Sequence, residues 1–453
     1  MAQNRRVFLK SLATVAATSS LSCQTNTKSQ DTGSFEATPL RPPEPEIWSP
    51  AGEEDDELFP LGVQVGDVSE DSAIVSVQSN ASVIEIRLMI AEDDAWAPFK
   101  SLLDVQVIGG FAQVVLSELP PDVAFCVAAF APQTTGRSSV TRFRTAINSD
   151  GWRVFQFGVT SCLGGNLPWP NLSAVAEYHL DFFAFLGDSV YADGSVSAEQ
   201  YWANWQRTLS QQGMRDLTSS TSVVATWDDH EVDNNWSWNS TSQINDKYAN
   251  GLAMFRRAFP QQYGSQGSGL WRKISWGAVA DVFVLDCRGE RQSGQYISDE
   301  QLRWLIEGLT ESTARFKFIL NSVPIIDYTN LLGGNEADDR WQGYPEQRSQ
   351  LLGHIENNGI EGVLFLSGDF HFAQHARVSP PGEVGDTLFE VLCGPGGSFL
   401  NPIGDLAVET EQFLWSMSAW NSAVITADPG TGEVHVAFIG DDGGSLHELT
   451  MML

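Results

Sequence analysis

Four stretches of this chain end an apolar run in side chains that can bind a metal ion. They are Val159-Thr160-Ser161-Cys162, Leu186-Gly187-Asp188-Ser189-Val190-Tyr191, Ala225-Thr226-Trp227-Asp228-Asp229-His230-Glu231 and Leu366-Ser367-Gly368-Asp369-Phe370-His371. A glycine ahead of Asp188, and another ahead of Asp369, lets the backbone turn and bring a carboxylate close to an ion. Singly, each stretch is commonplace. A Gly-Asp pair is ordinarily a turn, a lone cysteine a small buried apolar residue, and a lone histidine a satisfied core group. Four such ends in one domain point to a metal centre. Hydrolysis of a phosphate ester needs charge neutralised on the phosphoryl oxygens and a strong nucleophile at neutral pH, and two metal ions about 3.5–4 Å apart do both. Asp188 is the candidate bridge between them. Tyr191, three residues on, can reach the same ion as a phenolate.

The elements that must position these residues are legible in the apolar pattern. Phe182 to Leu186, Val279 to Leu285 and Val363 to Leu366 read as buried strands, and Asp299 to Thr310 and Gln347 to Asn358 as helices between strands. Residues 152–453 are therefore expected to form a layered α/β domain, in which ligands gather at the carboxyl ends of strands. Residues 59–148 have a different rhythm. Ala73 to Val77, Val83 to Leu88, Ala112 to Leu116, Val123 to Ala129 and Ser139 to Arg144 are short strands separated by turns such as Pro120-Pro121-Asp122. That spacing predicts a small all-β sandwich. No acid–base constellation occurs in it, so its expected role is structural or positioning.

The chain has 453 residues, 42% of them hydrophobic, which suits two domains with a sizeable core. Its 26 basic and 57 acidic residues give a formal net charge of −31. Nucleic acid and anionic membranes need basic surfaces, so both are excluded as stable partners. A negative field attracts divalent cations and repels anionic substrates, so a phosphoesterase site here needs metals or arginines to reverse the local sign. The five cysteines, Cys23, Cys126, Cys162, Cys287 and Cys393, are too scattered for a disulfide framework.

The N-terminus reads as an address. Asn4 to Lys10 is N-R-R-V-F-L-K, and a short apolar stretch follows to Leu21. Residues 1–23 are thus expected to be a cleavable twin-arginine (Tat-type) export signal, with the Tat machinery as partner and a periplasmic, cell-surface or secreted destination. Ser20-Leu21-Ser22-Cys23 resembles a lipoprotein cleavage site, although Leu21 stands one place nearer the cysteine than usual. Contact with a membrane is expected only if Cys23 carries lipid. Residues 24–58 are polar, Pro-rich and acidic at their end, a linker composition.

Taken together, Leu186-Gly187-Asp188 through Tyr191, Trp227-Asp228-Asp229-His230-Glu231 through Asn234-Asn235-Trp236, and Ser367-Gly368-Asp369-Phe370-His371 resemble the motifs of the PhoD-type alkaline phosphatases, within the calcineurin-like metallophosphatase superfamily. Leu285-Asp286-Cys287-Arg288 with Arg291, Asn321-Ser322-Val323-Pro324, Trp341-Gln342-Gly343-Tyr344-Pro345 and the stretch from Phe59 to Asp67 also fit. The W-D-D-H-E-V-D-N-N-W segment is the most specific. The resemblance implies a β-sandwich core flanked by helices, preceded by an immunoglobulin- or fibronectin-like domain. It implies ferric iron held by Cys162, Asp188, Tyr191 and His371, and calcium held by Asp188, Asp229 and Asp369. Donor softness agrees, since thiolate, phenolate and imidazole suit iron and carboxylates suit calcium. Only His230 and His371 of the seven histidines lie in motifs, too few for a histidine-rich dizinc site.

The implied activity is hydrolysis of phosphate mono- or diesters through in-line attack by a metal-bound hydroxide. His230 would protonate the leaving oxygen or stabilise its charge. Arg288 is a candidate for a phosphate oxygen, its alternative role being a structural ion pair with Asp286 or another acid. A phospholipase D-like phosphodiesterase could use the same centre. A non-catalytic calcium-binding surface protein is the reading from another class, but calcium alone needs none of Cys162, Tyr191, His230 and His371. Gln342, Ala192 and Cys287 depart from the family pattern at positions outside the implied ligand set.

Overall fold

The computed structural model describes residues 52–453 apart from 93–94, 133, 265, 330–336 and 407–408. The signal expected over 1–23, Cys23 and most of the linker expected over 24–58 lie outside the described residues. At the end of that linker Glu53–Glu54 forms a short strand parallel to Gly136–Arg137, held by an ion pair from Arg137 to Glu54 at 2.9 Å. Among the described residues no helix is long and apolar enough to cross a membrane.

Two sheets face each other across the main core. One has nine strands and contains, in parallel, Phe155–Thr160, Phe182–Leu186 and Val223–Thr226. The other has seven and contains, in parallel, Ala280–Val284, Phe316–Leu320, Val363–Ser367 and Phe389–Leu392. Parallel strands covered on both faces are apolar throughout rather than alternating, which explains runs such as Phe182-Phe183-Ala184-Phe185-Leu186, where every residue is buried. The pleat divides that run between two cores. Phe182, Ala184 and Leu186 point into the space between the sheets, and Phe183 and Phe185 point toward the outer helices. Each fully buried large apolar side chain contributes about 1.5–3 kcal/mol.

Helices cover both outer faces. Leu172, Trp205, Leu217 and Phe255, from four helices between Pro170 and Ala258, pack on the nine-stranded sheet. Asp299–Glu311 and Pro345–Asn357 cover the seven-stranded sheet. These two are the helices expected from the sequence. Ser298 caps the first by accepting a hydrogen bond from the Gln301 N–H at 3.1 Å, and Pro345 opens the second. The result is the expected helix-flanked β-sandwich.

The preceding all-β segment has its own core around Val75, Ile86, Phe125 and Val127. Strands of two sheets pack across that core, with Val83–Glu92, Ala124–Phe130 and Thr141–Arg144 in one of them. Val63–Gly66, Ser72–Gln78 and Phe111–Ser117 extend the nine-stranded sheet, joined to it where Gly66 pairs with Val223. The close approach there leaves no room for a side chain, since a Cβ on Gly66 would meet the Pro260 carbonyl oxygen at 2.0 Å. The period-two pattern of those strands was readable, but sheet continuity between segments has no periodic signature.

Candidate metal centre

Every strand end singled out from the sequence comes to one place. Thr160, Leu186, Thr226 and Ser367 are the last residues of four parallel strands, and the chain turns sharply after each. Cys162, Asp188, Asp369 and His371 have φ of 57°, 53°, 67° and 57°. Such left-handed conformations cost a non-glycine residue about 1–3 kcal/mol each and gather at functional sites. Gly187, at φ 105°, sits where a Cβ would meet the Asp228 Cβ at 2.5 Å, and a Cβ on Gly368 would meet that of Ser161 at 2.4 Å. Glycine at both positions lets neighbouring loops touch.

The loops are also tied by polar contacts. The Cys162 N–H donates to the Gly187 carbonyl at 3.1 Å. The buried Glu231 carboxylate accepts from the backbone N–H groups of Asp188 (3.0 Å), Ser189 (2.7 Å) and Asp228 (2.9 Å). One side chain thus fixes two ligand-bearing loops. The glutamate of the W-D-D-H-E motif is a framework residue.

Three donor groups result, in each of which the ligand atoms lie within 4.8 Å of one another: Cys162, Asp188 and His371; Asp188, Asp229 and His230; and Asp228, Asp229 and Asp369. Asp188 belongs to two groups and Asp229 to two. Tyr191 joins the first, its Oη lying 3.3 Å from Asp188 Oδ2 and 3.2 Å from His371 Nε2 while it donates to Ser398 Oγ at 2.9 Å. The ring of Tyr191 lies 4.1 Å, centroid to centroid, from that of His230. All six expected ligands and His230 are therefore brought together.

Whether this set suits cations can be judged from its own electrostatics. Burial, then the neighbouring Asp188, push the Cys162 thiol well above its ordinary range, and the same two causes act on the Tyr191 phenol. Burial followed by Asp228 and Asp339 pushes the Asp369 carboxyl up strongly. Asp229 is also raised, burial outweighing the opposing pull of Arg288. Asp229 Oδ1 is buried and accepts no hydrogen bond, although Oδ2 accepts one from the Asn235 N–H at 2.5 Å. A buried acceptor without a donor, among groups that repel each other's ionisation, fits an ion.

Arg288 is not where a substrate can reach it. Its side chain is fully buried and grips Asp228 through Nε at 2.5 Å and Asp339 through a terminal nitrogen at 2.5 Å. Asp339 is also gripped by Arg291 at 2.6 Å. The substrate-binding role expected for Arg288 is thus corrected to a structural clamp. Its partners are Asp228 and Asp339 rather than Asp286, which accepts instead from the Trp227 indole N–H at 2.7 Å and the Gly289 N–H at 2.7 Å.

The centre opens into a cleft of about 300 Å³. It is lined by Asp188, Asp229, Asp369, His230 and His371 together with Arg340, Phe370, Phe399, Asn401 and Ile403. His230 is held by Asp193, whose carboxylate oxygens lie 2.9 and 2.8 Å from Nδ1. Burial lowers the His230 pKa, but the Asp193 hydrogen bond and the charges of Asp188, Asp229 and Asp193 outweigh it and raise it to about 10. Asp193, Asp339, Arg340 and Phe399 escaped the sequence reading. Asp193 carried a signal, being two residues past Tyr191 in the same strand-end loop. A larger cleft of about 580 Å³ lies elsewhere, and two of its charged residues, Asp67 and Arg272, are paired with each other at 2.7 Å.

Two face-to-face sheets with outer helices and metal-type donors at the strand ends define the metallophosphatase fold. A solved purple acid phosphatase from yellow lupin shares it, with a TM-score of 0.63 at 13% identity over 86% of this chain and 74% of that one. A solved structure of PhoD superposes with a TM-score of 0.74 at 18% identity, covering 89% of this chain and 90% of that one. The model of the PhoD-like phosphatase family matches residues 157–412, and the chain belongs to that family. Alkaline phosphatase D of Bacillus subtilis (strain 168) is 24% identical over 252 residues. That match takes in 44% of this chain and 42% of the relative, less than half the relative's length.

Proposed function

We propose that the protein is a metal-dependent phosphoesterase acting on phosphate mono- or diesters. The observation that carries this reading is the sharing of Asp188 between two donor groups, one with Cys162 and His371 and one with Asp229 and His230. A carboxylate common to two sets suits a pair of ions. Cys162, Asp188, Tyr191 and His371 would hold iron, and Asp188, Asp229 and Asp369 calcium, the softer donors falling on one side of Asp188 and the carboxylates on the other. When bound, such a pair supplies charge neutralisation on phosphoryl oxygens and a nucleophile at neutral pH.

The remaining work belongs to the chain. His230, with Nδ1 engaged by Asp193, has Nε2 left to deliver a proton to the leaving oxygen. Arg340, the arginine that lines the cleft, takes the role of binding a phosphate oxygen. Glu231 keeps the two ligand-bearing loops in register. The sulfur donor Cys162 and the imidazole of His371 argue against a non-catalytic calcium-binding role, since calcium takes oxygen ligands.

Export by the Tat pathway is part of the same proposal and rests on Asn4 to Lys10. Retention of an Arg5→Lys, Arg6→Lys protein in the cytoplasm is the expected outcome, and its normal export would remove that element. The central experiment is metal analysis of the purified protein alongside hydrolysis of a phosphate monoester and a diester. Calcium without iron, and no hydrolysis of either ester by the metal-loaded protein, would overturn the phosphoesterase reading.

A further inference from the structure

The cleft lining combines carboxylates with apolar side chains. Among the same lining residues stands Phe399, which is 70% exposed although it is among the largest apolar side chains. Its ring meets that of His371 edge to face, with centroids 4.2 Å apart. Phe370 and Ile403 line the same cleft, and Leu406, at the end of the short helix that begins with Ile403, is 74% exposed.

Phe399 is not a mobile residue caught in the open. The Gly397 and Ser398 N–H groups donate to the Cys162 carbonyl at 3.1 and 2.9 Å. The Ser398 carbonyl accepts from the Trp420 indole at 2.7 Å, and beyond Phe399 the Asn401 N–H donates to the His371 carbonyl at 3.0 Å. The backbone on both sides of the ring is therefore pinned to the residues that carry Cys162 and His371. A rigidly presented, solvent-facing aromatic ring gains free energy only when something apolar covers it.

We propose that Phe399, with Phe370 and Ile403, forms an apolar shelf that receives the alcohol portion of the substrate, so that the site selects phosphate esters of compact aromatic or alkyl alcohols. This rests on the phosphoesterase reading above and adds the substrate class. The phosphoryl group sits at Asp188 and Asp229, and the ester oxygen lies between these carboxylates and the shelf. The cleft volume of about 300 Å³ is at the lower end of the range for small-molecule sites, about 300–1,000 Å³. That size favours a single ring or short chain over a two-chain lipid.

The test separates binding from turnover. Phenylphosphonate and methylphosphonate, which present the same charged group and cannot be hydrolysed, are titrated calorimetrically into the metal-loaded protein. The wild type should bind the phenyl compound about tenfold more tightly, the size expected for an aromatic contact plus its buried area. Phe399→Ala should bring the two within about twofold of each other at unchanged metal content, with Phe399→Leu intermediate. Equal binding by the wild type, no binding of either compound, or an undiminished preference in Phe399→Ala would overturn the shelf. Phenyl phosphate hydrolysis is measured in parallel. A phenyl preference without turnover leaves the shelf standing and removes the phosphoesterase reading; turnover without a preference does the reverse.

Discussion

Asp193 holds His230 by both carboxylate oxygens, at 2.9 and 2.8 Å from Nδ1, and one of those oxygens also accepts the Asn234 N–H at 2.7 Å. The aspartate therefore fixes the ring and the loop that follows it together. Asp193 is a positioning residue, acting on the reaction through His230. Asp193→Asn should lower kcat by about 10- to 100-fold, the usual cost of removing a partner that orients a functional group, while leaving metal content unchanged. Under the proposed role of His230 at the leaving oxygen, the loss should be smaller for nitrophenyl than for alkyl phosphates. Equal losses on both esters would show that Asp193 acts on something other than proton delivery.

The same pair makes a prediction for stability. In the metal-free protein His230 titrates near 10, raised above the ordinary 6.5 by Asp193 and the nearby carboxylates despite burial. A histidine raised on folding stabilises fully below its unfolded pKa, and the contribution fades as pH rises through the folded one. The stability difference between wild type and Asp193→Asn should accordingly be widest near pH 6 and shrink toward pH 10. Urea midpoints across that range measure it, and a gap that widens with pH would contradict the assignment.

Cys162 lies at the end of a buried strand with its carbonyl accepting from two N–H groups, contacts that do not need its sulfur. Cys162→Ala should fold, with a loss of about 1 kcal/mol for the small cavity. Iron should be absent while calcium is retained, and activity should fall at least a hundredfold. A purified variant that keeps iron and activity would make the residue part of the core alone.

How much of this could be read in the chain depends on what each residue does. Cys162, Asp188, Asp229, Asp369 and His371 follow apolar runs directly, so a strand-end position and a ligand-type side chain single them out together as candidates. The left-handed φ at four of them is the structural form of that punctuation. Arg288 misled because an arginine in a motif carries the same letter whether it faces a substrate or a buried acid. Asp339, which it clamps from 51 positions away, has no local signature. Phe399 was invisible for a related reason, since a phenylalanine after Gly-Gly-Ser reads as core until its exposure is known. The joining of Gly66 to Val223 is a tertiary choice of strand neighbour, which period-two patterning does not encode.

The two arginines near the centre should separate cleanly. Arg288 is buried and holds Asp228 and Asp339, so Arg288→Gln leaves buried carboxylates without their cation. A destabilisation of about 3–5 kcal/mol is expected, read as a large fall in Tm at any metal concentration. Arg340 is also buried, at 3% exposure, but it borders the cleft, which Arg288 does not. Arg340→Gln should raise KM for phosphate esters and inhibition constants for inorganic phosphate about tenfold or more. Should Arg288→Gln keep its Tm and lose phosphate affinity instead, the two roles would have to be exchanged.

Asp369 gives the sharpest opposition between stability and function. Without metal, burial and the charges of Asp228 and Asp339 hold its carboxyl well above the ordinary range, against a smaller pull from Arg288. For an acid raised on folding, ionisation works against the native state. That penalty is absent below the unfolded pKa and grows as pH rises toward the folded one. Asp369→Asn keeps the shape and removes the charge, so at pH 7 the metal-free variant should melt higher than the metal-free wild type. The side chain is 19% exposed to the cleft, where solvent screens part of the repulsion, so a gain of only a few degrees is expected. Adding metal should reverse the order, because the wild type gains stability from binding while the variant, lacking a ligand, gains little. Activity of the variant should fall by at least about a hundredfold. A metal-free variant that melts lower than wild type at pH 7 would mean that Asp369 is already satisfied by protein groups, and calcium would then have to be sought among Asp188, Asp228 and Asp229.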